Sequence, residues 1–417
     1  MAASTQPARG MRDFLPSDVR KRDYVIGVIK SVYESYGFEP LETPAVENID
    51  TLMGKYGEEG NQLIFKILKR GEKLKESSAS ELADLALRYD LTVPLARVVA
   101  NNRNDLPKFF KRYQIQPVWR ADRPARGRFR EFCQCDVDAI GSSSMVVEAE
   151  IIGAASTILE KLGFDDFTIR INHRQLLSQM VADAGIETET DALVALDKLD
   201  KIGADGVKQE LLGRGIDSTA ADKFLAAVTG DVSNSELDRL VELCDSSRVK
   251  IDPSLARGLS YYTGTIMEII VPDLAGSLGG GGRYDGLIGM FGKEQTPACG
   301  FSLGLERILV VMDERGMFPP EIAGSAPADV LVTIWSAETA AESLKLAQEL
   351  RARGLRVTLY PESDKLGKQV KYADSIKVPF VCVLGESEIA DGTVTVKNMK
   401  TGDQQTVARV NAASSIA

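Results

Sequence analysis

The sequence predicts an α+β protein, in which an antiparallel-sheet domain carries a small helical insertion and is followed by a C-terminal α/β domain. Two runs of alternating apolar and polar residues flank an arginine-rich loop within 109–141, a pattern typical of a long antiparallel hairpin. From about 175 to 250, Ala, Leu, Asp and Lys recur at helical spacing. After residue 328, strand-like and helix-like segments alternate, which indicates a parallel α/β sheet.

The first domain is predicted to span 1–318, with the insertion at about 175–250. Its first helix is expected to have Ser17 as N-cap and Gly37 at the C′ position. An extended segment, FEPLETP, follows this helix because each proline biases its predecessor away from helix. The hairpin strands are RYQIQPVW and FCQCDVDAIG. Strand-like sequence resumes with LSYYTGTIMEIIV, which is followed by a cluster of four glycines and then by FSLGLERILVVM.

The second domain is predicted to span 329–417, after a linker over 319–328 that is rich in Pro, Ala and Gly. Its strands are read as DVLVTIW, LRVTLY and VPFVCVLG, with a helix in each interval. Strands separated by helices of this length pair in parallel.

Charge and composition exclude several classes of protein. The chain of 417 residues has 50 Lys and Arg against 60 Asp and Glu, a net charge of −10, so it is not a uniformly basic nucleic-acid coat. Its single histidine, His173, is expected to be structural, and one histidine excludes a His-rich zinc site. Five scattered cysteines, no apolar span and no signal-like N-terminus lead us to expect a cytoplasmic protein without a membrane partner.

Four segments carry candidate chemistry. Residues 108–130 hold eight cations against Asp122, which suits either a solvated hairpin or a phosphate site. Arg257 precedes two tyrosines, the glycines of 279–282 permit close approach to a ligand, and a glycine-spaced strand from Gly300 leads into Glu306 and Arg307. Each segment alone has an ordinary structural interpretation, such as packing tyrosines or a flexible glycine turn.

Together these segments resemble the class II aminoacyl-tRNA synthetases and, within them, the histidyl-tRNA synthetase family. Pro44 resembles the motif 1 proline, motif 2 matches from Arg120 to Asp136, and motif 3 matches from Gly300 to Arg307. The segments LARGLSYYTG, GGGGRYDG and RGMRDFLP are similar to those of the histidine enzymes. The resemblance covers nearly the whole chain, including an anticodon-binding-like C-terminal domain, and implies a homodimer that joins histidine to tRNA(His).

The resemblance implies that ATP and L-histidine react to histidyl-adenylate, with Mg²⁺ on the phosphates. Arg120 and Arg257 would be catalytic, holding the carboxylate and the α-phosphate where negative charge develops. The ATP-binding residues carried over are Arg120, Asp122, Arg128, Phe132 and Arg307. The sequence leaves the metal ligands unassigned.

The resemblance also implies the histidine-binding residues. They are Asp90, Leu91, Thr92, Arg120, Gln134, Asp138, Arg257, Tyr261 and Tyr262. Asp90, Thr92 and Gln134 would bind the ammonium, while Asp138 and Tyr262 would each bond one imidazole nitrogen. A carboxylate and a hydroxyl match a ring with one donor and one acceptor.

Two departures and one alternative accompany the resemblance. Ser260 stands where many family members have Asp, so a hydroxyl replaces a carboxylate charge that would act on Arg257. The insertion is also short for a part that helps hold the tRNA acceptor stem. The alternative is a catalytically silent regulatory paralogue, of the type that partners ATP phosphoribosyltransferase. Such paralogues typically lose motif arginines and the C-terminal domain, whereas this chain has both.

Overall fold

A computed structural model shows the chain as two compact units, Met1–Phe318 and Pro319–Ala417. It describes residues 5–78, 82–230, 232–257, 261–292, 294–324 and 326–416, without the side chains of 57–59. Each unit has hydrophobic clusters of its own. Within the described ranges, no helix is both long and apolar enough to cross a bilayer.

The first unit is built on a large sheet with the strand order β1-β5-β6-β11-β10-β9-β7-β8. Its strands and those of a small sheet ordered β2-β4-β3 are, in chain order, β1 (Glu39–Pro40), β2 (Val46–Asn48), β3 (Lys66–Leu68), β4 (Ala83–Leu87), β5 (Phe110–Trp119), β6 (Glu131–Ile140), β7 (Thr168–His173), β8 (Val249–Ile251), β9 (Thr265–Ile270), β10 (Gly279–Arg283) and β11 (Ala298–Gly304). From β5 to β7 every neighbouring pair is antiparallel, and only the edge strands β1 and β8 pair in parallel. The predicted antiparallel-sheet domain is confirmed.

The β5–β6 hairpin fixes which side chains meet on the sheet. Its ten-residue strands pair without a register shift, so Arg112 stands opposite Asp138 and Gln116 opposite Gln134. Successive side chains of a strand alternate between the faces, so Gln134, Asp136 and Asp138 share one face. The alternation that predicted the hairpin therefore also lines up its polar residues.

Helices flank the sheet and form the insertion. They are α1 (Pro16–Ser35), α2 (Ile49–Leu52), α3 (Gly57–Gln62), α4 (Glu72–Lys75), α5 (Thr92–Asn101), α6 (Val146–Lys161), α7 (Arg174–Asp183), α8 (Glu189–Leu196), α9 (Leu199–Gly213), α10 (Ser218–Thr229), α11 (Ser235–Cys244) and α12 (Leu305–Glu314), with a 3₁₀ turn at Ile288–Met290. Helices α7 to α11 make up the predicted helical insertion, and buried apolar side chains from each of them face inward.

The start of α1 differs from the prediction. Leu15, rather than Ser17, is the N-cap, and its backbone N–H donates to Asp18 Oδ2 at 3.2 Å. Pro16 takes the first helical position because its fixed φ suits a helix and its missing N–H would have no partner there. The predicted end is right, because Gly37 follows the helix with a φ of +76°, which favours glycine.

The second unit combines three parallel strands with an antiparallel hairpin. Its elements are α13 (Pro320–Ala323), β12 (Val330–Val332), α14 (Ala340–Ala352), β13 (Val357–Leu359), α15 (Leu366–Ser375), β14 (Phe380–Val383), α16 (Glu386–Asp391), β15 (Thr393–Asn398) and β16 (Gln404–Ala408), then 3₁₀ turns at Arg409–Asn411 and Ala413–Ser415. The sheet order is β13-β12-β14-β15-β16.

The expectation of a purely parallel second sheet is wrong for its last two strands. Strands β13, β12 and β14 are parallel, but β14, β15 and β16 are antiparallel neighbours. Asn398 Oδ1 accepts from the backbone N–H groups of Lys400 and Thr401, which closes a tight turn. Strands joined by so short a turn pair antiparallel without a crossover helix.

Candidate active site

A cavity of about 900 Å³ in the first unit is lined by side chains of β6, β9 and β11, by the β10 backbone and by the loop after β5. Each predicted site residue except Leu91 lines it: Asp90, Thr92, Arg120, Asp122, Arg128, Phe132, Gln134, Asp138, Arg257, Tyr261, Tyr262 and Arg307. Residues that are up to 217 positions apart in sequence, counted from Asp90 to Arg307, thus meet around one space.

Leu91 is the predicted site residue that the structure does not bring to the cavity. Its side chain is fully buried in the interior beside the start of α5, so it packs rather than binds. Its carbonyl accepts a hydrogen bond from Arg112 Nη2 at 3.3 Å. That Leu91 is a histidine-binding residue therefore stays a prediction, which the cavity lining does not support.

Arg257 lies against the β10 backbone. Its Nη1 donates to Glu268 Oε1 at 3.0 Å, and Gly280 stands opposite Glu268 in the sheet. A Cβ on Gly280 would lie 2.4 Å from Arg257 Nη1, so only a glycine leaves room for this guanidinium. The glycine run that looked like a flexible turn in the sequence is therefore a strand that accommodates an arginine.

Arg120 lines the cavity and contacts two aromatic rings. Its Nε donates to the Tyr89 carbonyl at 3.0 Å, and its guanidinium lies 4.3 Å from the Tyr89 ring centroid and 5.2 Å from that of Phe132. These three contacts orient the guanidinium. None of the three is with a carboxylate.

Arg307 and Arg128 also line the cavity and, with Arg120 and Arg257, form the group called the arginine end. Arg307 Nη1 donates to the Ser277 carbonyl, while Arg128 pairs with Asp122 at 3.0 Å. Burial, followed by the charges of Arg128 and Arg257, lowers the pKa of Arg307. Repulsion among clustered guanidinium groups is relieved when an anion binds between them, so this end suits a polyphosphate.

Buried carboxylates form a second group in the cavity lining, Asp90, Asp136 and Asp138, which is called the carboxylate end. Asp90 is 2% exposed and accepts from Tyr56 Oη at 2.9 Å, from the Val93 N–H at 3.1 Å and from Tyr261 Oη at 3.4 Å. Burial raises the pKa of Asp90, against the effect of these hydrogen bonds. A cationic ligand would restore favourable solvation to such a group.

Gln134 presents an unused acceptor at this end. Its Nε2 donates to Ser302 Oγ at 2.8 Å, while its buried Oε1 has no hydrogen-bond partner within the described residues. Because buried polar atoms are normally satisfied, this oxygen is suited to a donor on a bound ligand.

Asp138 and the tyrosines complete the pocket. Asp138 is 2% exposed, forms an ion pair with Arg112 at 2.8 Å and accepts a hydrogen bond from the Tyr284 hydroxyl. Burial raises the pKa of Tyr262 to about 12, so its phenol remains a donor at neutral pH. The rings of Tyr261 and Tyr262 are 5.0 Å apart. The arrangement offers one acceptor and one hydroxyl to a heteroaromatic ring.

Among the lining residues to which the sequence assigned no binding role are Asp136, Glu268 and Tyr284. Asp136 shares the face of Gln134 and Asp138, and Tyr284 belongs to the quoted segment GGGGRYDG, so both carried a signal. Burial and the neighbouring Asp138 raise the pKa of Asp136 to about 7, with Arg112 opposing. Glu268 had no signal, because only strand pairing brings it to Arg257.

His173, Cys133 and Cys135 do not line the cavity. His173 caps α7, where its Nδ1 accepts from the Gln175 N–H at 3.3 Å, and burial lowers its pKa. Cys133 and Cys135 are free and buried. Ser260 falls outside the described residues. Across the described ranges, no group of three or more His, Cys, Asp and Glu side chains is arranged to hold a metal.

Comparisons with known proteins agree on one family. A family model described as "Histidyl-tRNA synthetase" matches residues 10–308, and one described as "Anticodon binding domain" matches 329–417. The chain is 41% identical to a histidine–tRNA ligase of Christiangramia forsetii, covering 97% of each chain, and 44% identical to one of Porphyromonas gingivalis, covering 95% of each. The crystal structure of histidyl-tRNA synthetase from Nostoc sp. PCC 7120 superposes with a TM-score of 0.79 at 32% identity, covering 100% of this chain and 99% of that one.

Proposed function

The chain belongs to the histidyl-tRNA synthetase family and charges tRNA with histidine, and we propose that its cavity is the place where the amino acid is activated with ATP. In that step the histidine carboxylate attacks the α-phosphorus and pyrophosphate leaves. The histidyl group then passes to the 3′-terminal adenosine of tRNA(His). The observation that supports this site is a single cavity lined both by the arginines Arg120, Arg128, Arg257 and Arg307 and by the buried carboxylates Asp90, Asp136 and Asp138.

Arg120 and Arg257 are the proposed catalytic residues. Attack on the α-phosphorus concentrates negative charge between the carboxylate and the phosphate, so fixed cations there lower the barrier. Arg120 is oriented by Tyr89, and Arg257 is oriented by Glu268 and by the space above Gly280. Both cations are therefore in place before the substrates react.

ATP is proposed to occupy the arginine end. Arg307 would bind the γ-phosphate and cover the adenine, Phe132 would stack beneath the base, and Arg128 would hold the bent triphosphate while Asp122 orients Arg128. The Arg128–Asp122 pair at 3.0 Å and the aromatic face of Phe132 in the cavity support these roles. Burial is the main cause of the lowered pKa of Arg307, and the charges of Arg128 and Arg257 add to it, so an anionic ligand beside Arg307 would favour its charged form.

Histidine is proposed to occupy the carboxylate end. Asp90, Thr92 and the free Gln134 Oε1 would bind the ammonium, with Tyr261 completing the wall around Asp90. Asp138 would accept from one imidazole N–H, and the Tyr262 hydroxyl would donate to the other nitrogen. An analogue without a ring nitrogen would leave one of these buried groups unpaired, which is the basis of strong discrimination.

Magnesium is proposed to enter as part of the substrate MgATP. The cavity carboxylate nearest to Arg257 is Glu268, and both Arg257 and Arg170 already pair with it. Mg²⁺ keeps several waters and binds mainly to substrate phosphates in such sites, so it needs few protein ligands here. When bound, it would neutralise β- and γ-phosphate oxygens.

Histidine-dependent exchange of pyrophosphate into ATP by the purified chain tests this function. Exchange that requires L-histidine is the expected result. A chain that binds histidine but supports no exchange would instead fit the silent regulatory paralogue, which its likeness to histidine–tRNA ligases over nearly its whole length does not favour.

The second unit is proposed to bind the anticodon arm of the tRNA. The match of 329–417 to the anticodon-binding family supports this, and the cavity lining comes entirely from the first unit. Truncation after Gly324 should leave pyrophosphate exchange measurable and greatly reduce tRNA charging. Equal loss of both activities in a folded truncated protein would contradict this division.

A homodimer is proposed on the family resemblance of the segment around Pro44. Pro44 is exposed, and the neighbouring small sheet exposes Val46 and Leu68, with 38% and 58% of their surfaces accessible. Apolar side chains on such a sheet favour burial by a second copy. Sedimentation at micromolar protein should give the dimer mass, and a monomer in moderate salt would contradict the proposal.

A further inference from the structure

One row of the central sheet runs through Asp138. Arg112 on β5 stands directly opposite Asp138 on β6, and Asp138 stands directly opposite Gly300 on β11. Side chains at paired positions of neighbouring strands lie on the same face, close enough to interact. Asp138 therefore has a cation on one side and a residue without a side chain on the other.

Arg112 makes its polar contacts with residues close to Asp138. Its side chain is fully buried, and its Nη2 lies 2.8 Å from Asp138 Oδ2. The same guanidinium donates to Gln114 Oε1 and to the Leu91 carbonyl, each at 3.3 Å. A buried arginine is expensive unless it is paired, and Asp138 is the carboxylate that pairs with it here.

The other Asp138 oxygen accepts a hydrogen bond and lies over a residue that has no side chain. A Cβ on Gly300 would lie 1.9 Å from Asp138 Oδ1, so the carboxylate occupies the space above this glycine. The Tyr284 hydroxyl donates to the same oxygen. The carboxylate is thereby held by the Arg112 ion pair at Oδ2, which has no hydrogen-bond partner within the described residues, and by the Tyr284 hydroxyl at Oδ1.

We propose that Arg112 is a positioning residue for histidine recognition, which holds the Asp138 carboxylate in the direction and charge state that accept a hydrogen bond from the imidazole. Arg112 does not itself line the cavity, so it acts through Asp138. The inference rests on the proposed function, because it requires Asp138 to contact the imidazole.

Titratable and charged groups on several elements interact with Asp138. They are Arg112 on β5, Asp136 on the same strand, Cys299 on β11, Tyr284 after β10 and Tyr33 on α1. Burial raises the pKa of Asp138, and Arg112 and the Tyr284 hydrogen bond act in the opposite direction. Loss of Arg112 therefore raises this pKa further. The carboxyl then takes up a proton nearer to neutrality and ionises again as the pH rises.

The test replaces Arg112 in the full-length chain and measures histidine-dependent pyrophosphate exchange as a function of pH. Arg112→Met should raise the KM for histidine at least about tenfold near pH 7, with the KM for ATP within about twofold. The defect should narrow as the pH is raised above 7, because a larger fraction of Asp138 is then ionised. Arg112→Lys should recover part of the loss, because an ammonium keeps the charge but not the planar fork.

Arg88→Met is the matched control. Arg88 is a second buried arginine, 2% exposed, which donates to the Thr43 and Pro117 carbonyls and to Gln116 rather than to Asp138. Its loss should lower stability without a pH-dependent change in the KM for histidine. If Arg112→Met does not fold, Arg112→Lys compared with Arg88→Lys answers the same question.

The outcomes separate the inference from the proposed function. If Asp138→Asn leaves the KM for histidine within about twofold of the parent, the imidazole contact of Asp138 is wrong, and the inference falls with it. If Asp138→Asn raises this KM while the Arg112 variants behave like the Arg88 variants at every pH, the positioning role of Arg112 alone is overturned.

Discussion

The two ends of the cavity differ in charge and in how firmly their side chains are held. Arg128 and Arg257 at the arginine end are 48% and 23% exposed, whereas Asp90 and Asp138 at the carboxylate end are each 2% exposed. The carboxylates accept several hydrogen bonds from the protein, while Arg120 and Arg307 donate to backbone carbonyls.

This difference matches two tasks. Phosphates bring strong charge of their own and bind to cations that need only be near and correctly oriented. An imidazole is small and weakly charged, so it is distinguished by buried partners that are costly to leave unpaired. We expect changes at the arginine end to affect mainly the rate of activation, and changes at the carboxylate end to affect mainly the KM for histidine.

The largest expected effect is that of Arg257→Ala on the rate. Removal of a preorganised charge-stabilising group costs about 10²–10³ in rate, so adenylate formation should fall at least about a hundredfold in kcat. The affinity for histidine should stay within about tenfold, and Arg257→Lys should not rescue fully.

The control for Arg257 is Arg315→Ala. Arg315 is 22% exposed, much like Arg257 at 23%, and pairs with Asp166 and Asp273 away from the cavity. Surface ion pairs of this kind contribute about 0–1 kcal/mol, so activity should be retained. Activation by Arg257→Ala within about fivefold of the parent would remove the proposed role of Arg257.

A smaller effect, in the KM, is expected for Asp138→Asn. A hydrogen bond to a charged group contributes about 1.5–3 kcal/mol, so the KM for histidine should rise roughly 10- to 150-fold. The KM for ATP should change little, because the arginine end is untouched. A fall in kcat with an unchanged KM for histidine would show that the two ends do not divide the work as described.

The smallest effect concerns stability at the carboxylate end. The pKa of Asp136 is raised to about 7 from 3.8, so the folded state binds its proton more tightly than the unfolded state. Its contribution to stability is present below pH 3.8 and is lost as the pH rises through about 7. Asp136→Asn should therefore be more stable than the parent at pH 8 and should keep only a smaller part of this advantage at pH 5, because the parent loses about 1.4 kcal/mol per pH unit as the pH rises from 3.8 to about 7. Denaturant unfolding at both pH values measures it, and an advantage that grows toward pH 5 would contradict the raised pKa.

The sequence by itself determined the hairpin, the helical insertion and the order of the motifs, because alternation, helical spacing and glycine placement are local properties of the chain. Their resemblance to one family named twelve residues that line the cavity, and also Leu91, which does not. Local pattern was less reliable at element ends, where Ser17 was taken for a cap that Leu15 provides. It also missed the antiparallel hairpin that completes the second sheet.

Only the tertiary structure decided which side chains face one another. Glu268 is paired with Arg257 because strand register sets it opposite Gly280, and Arg112 meets Asp138 because two ten-residue strands pair without a shift. A shift of one residue would turn each of these side chains to the other face of the sheet. The charged residues could be identified in the sequence, but their partners depend on contacts between distant segments. Burial of these groups in the folded chain then shifts their pKa values.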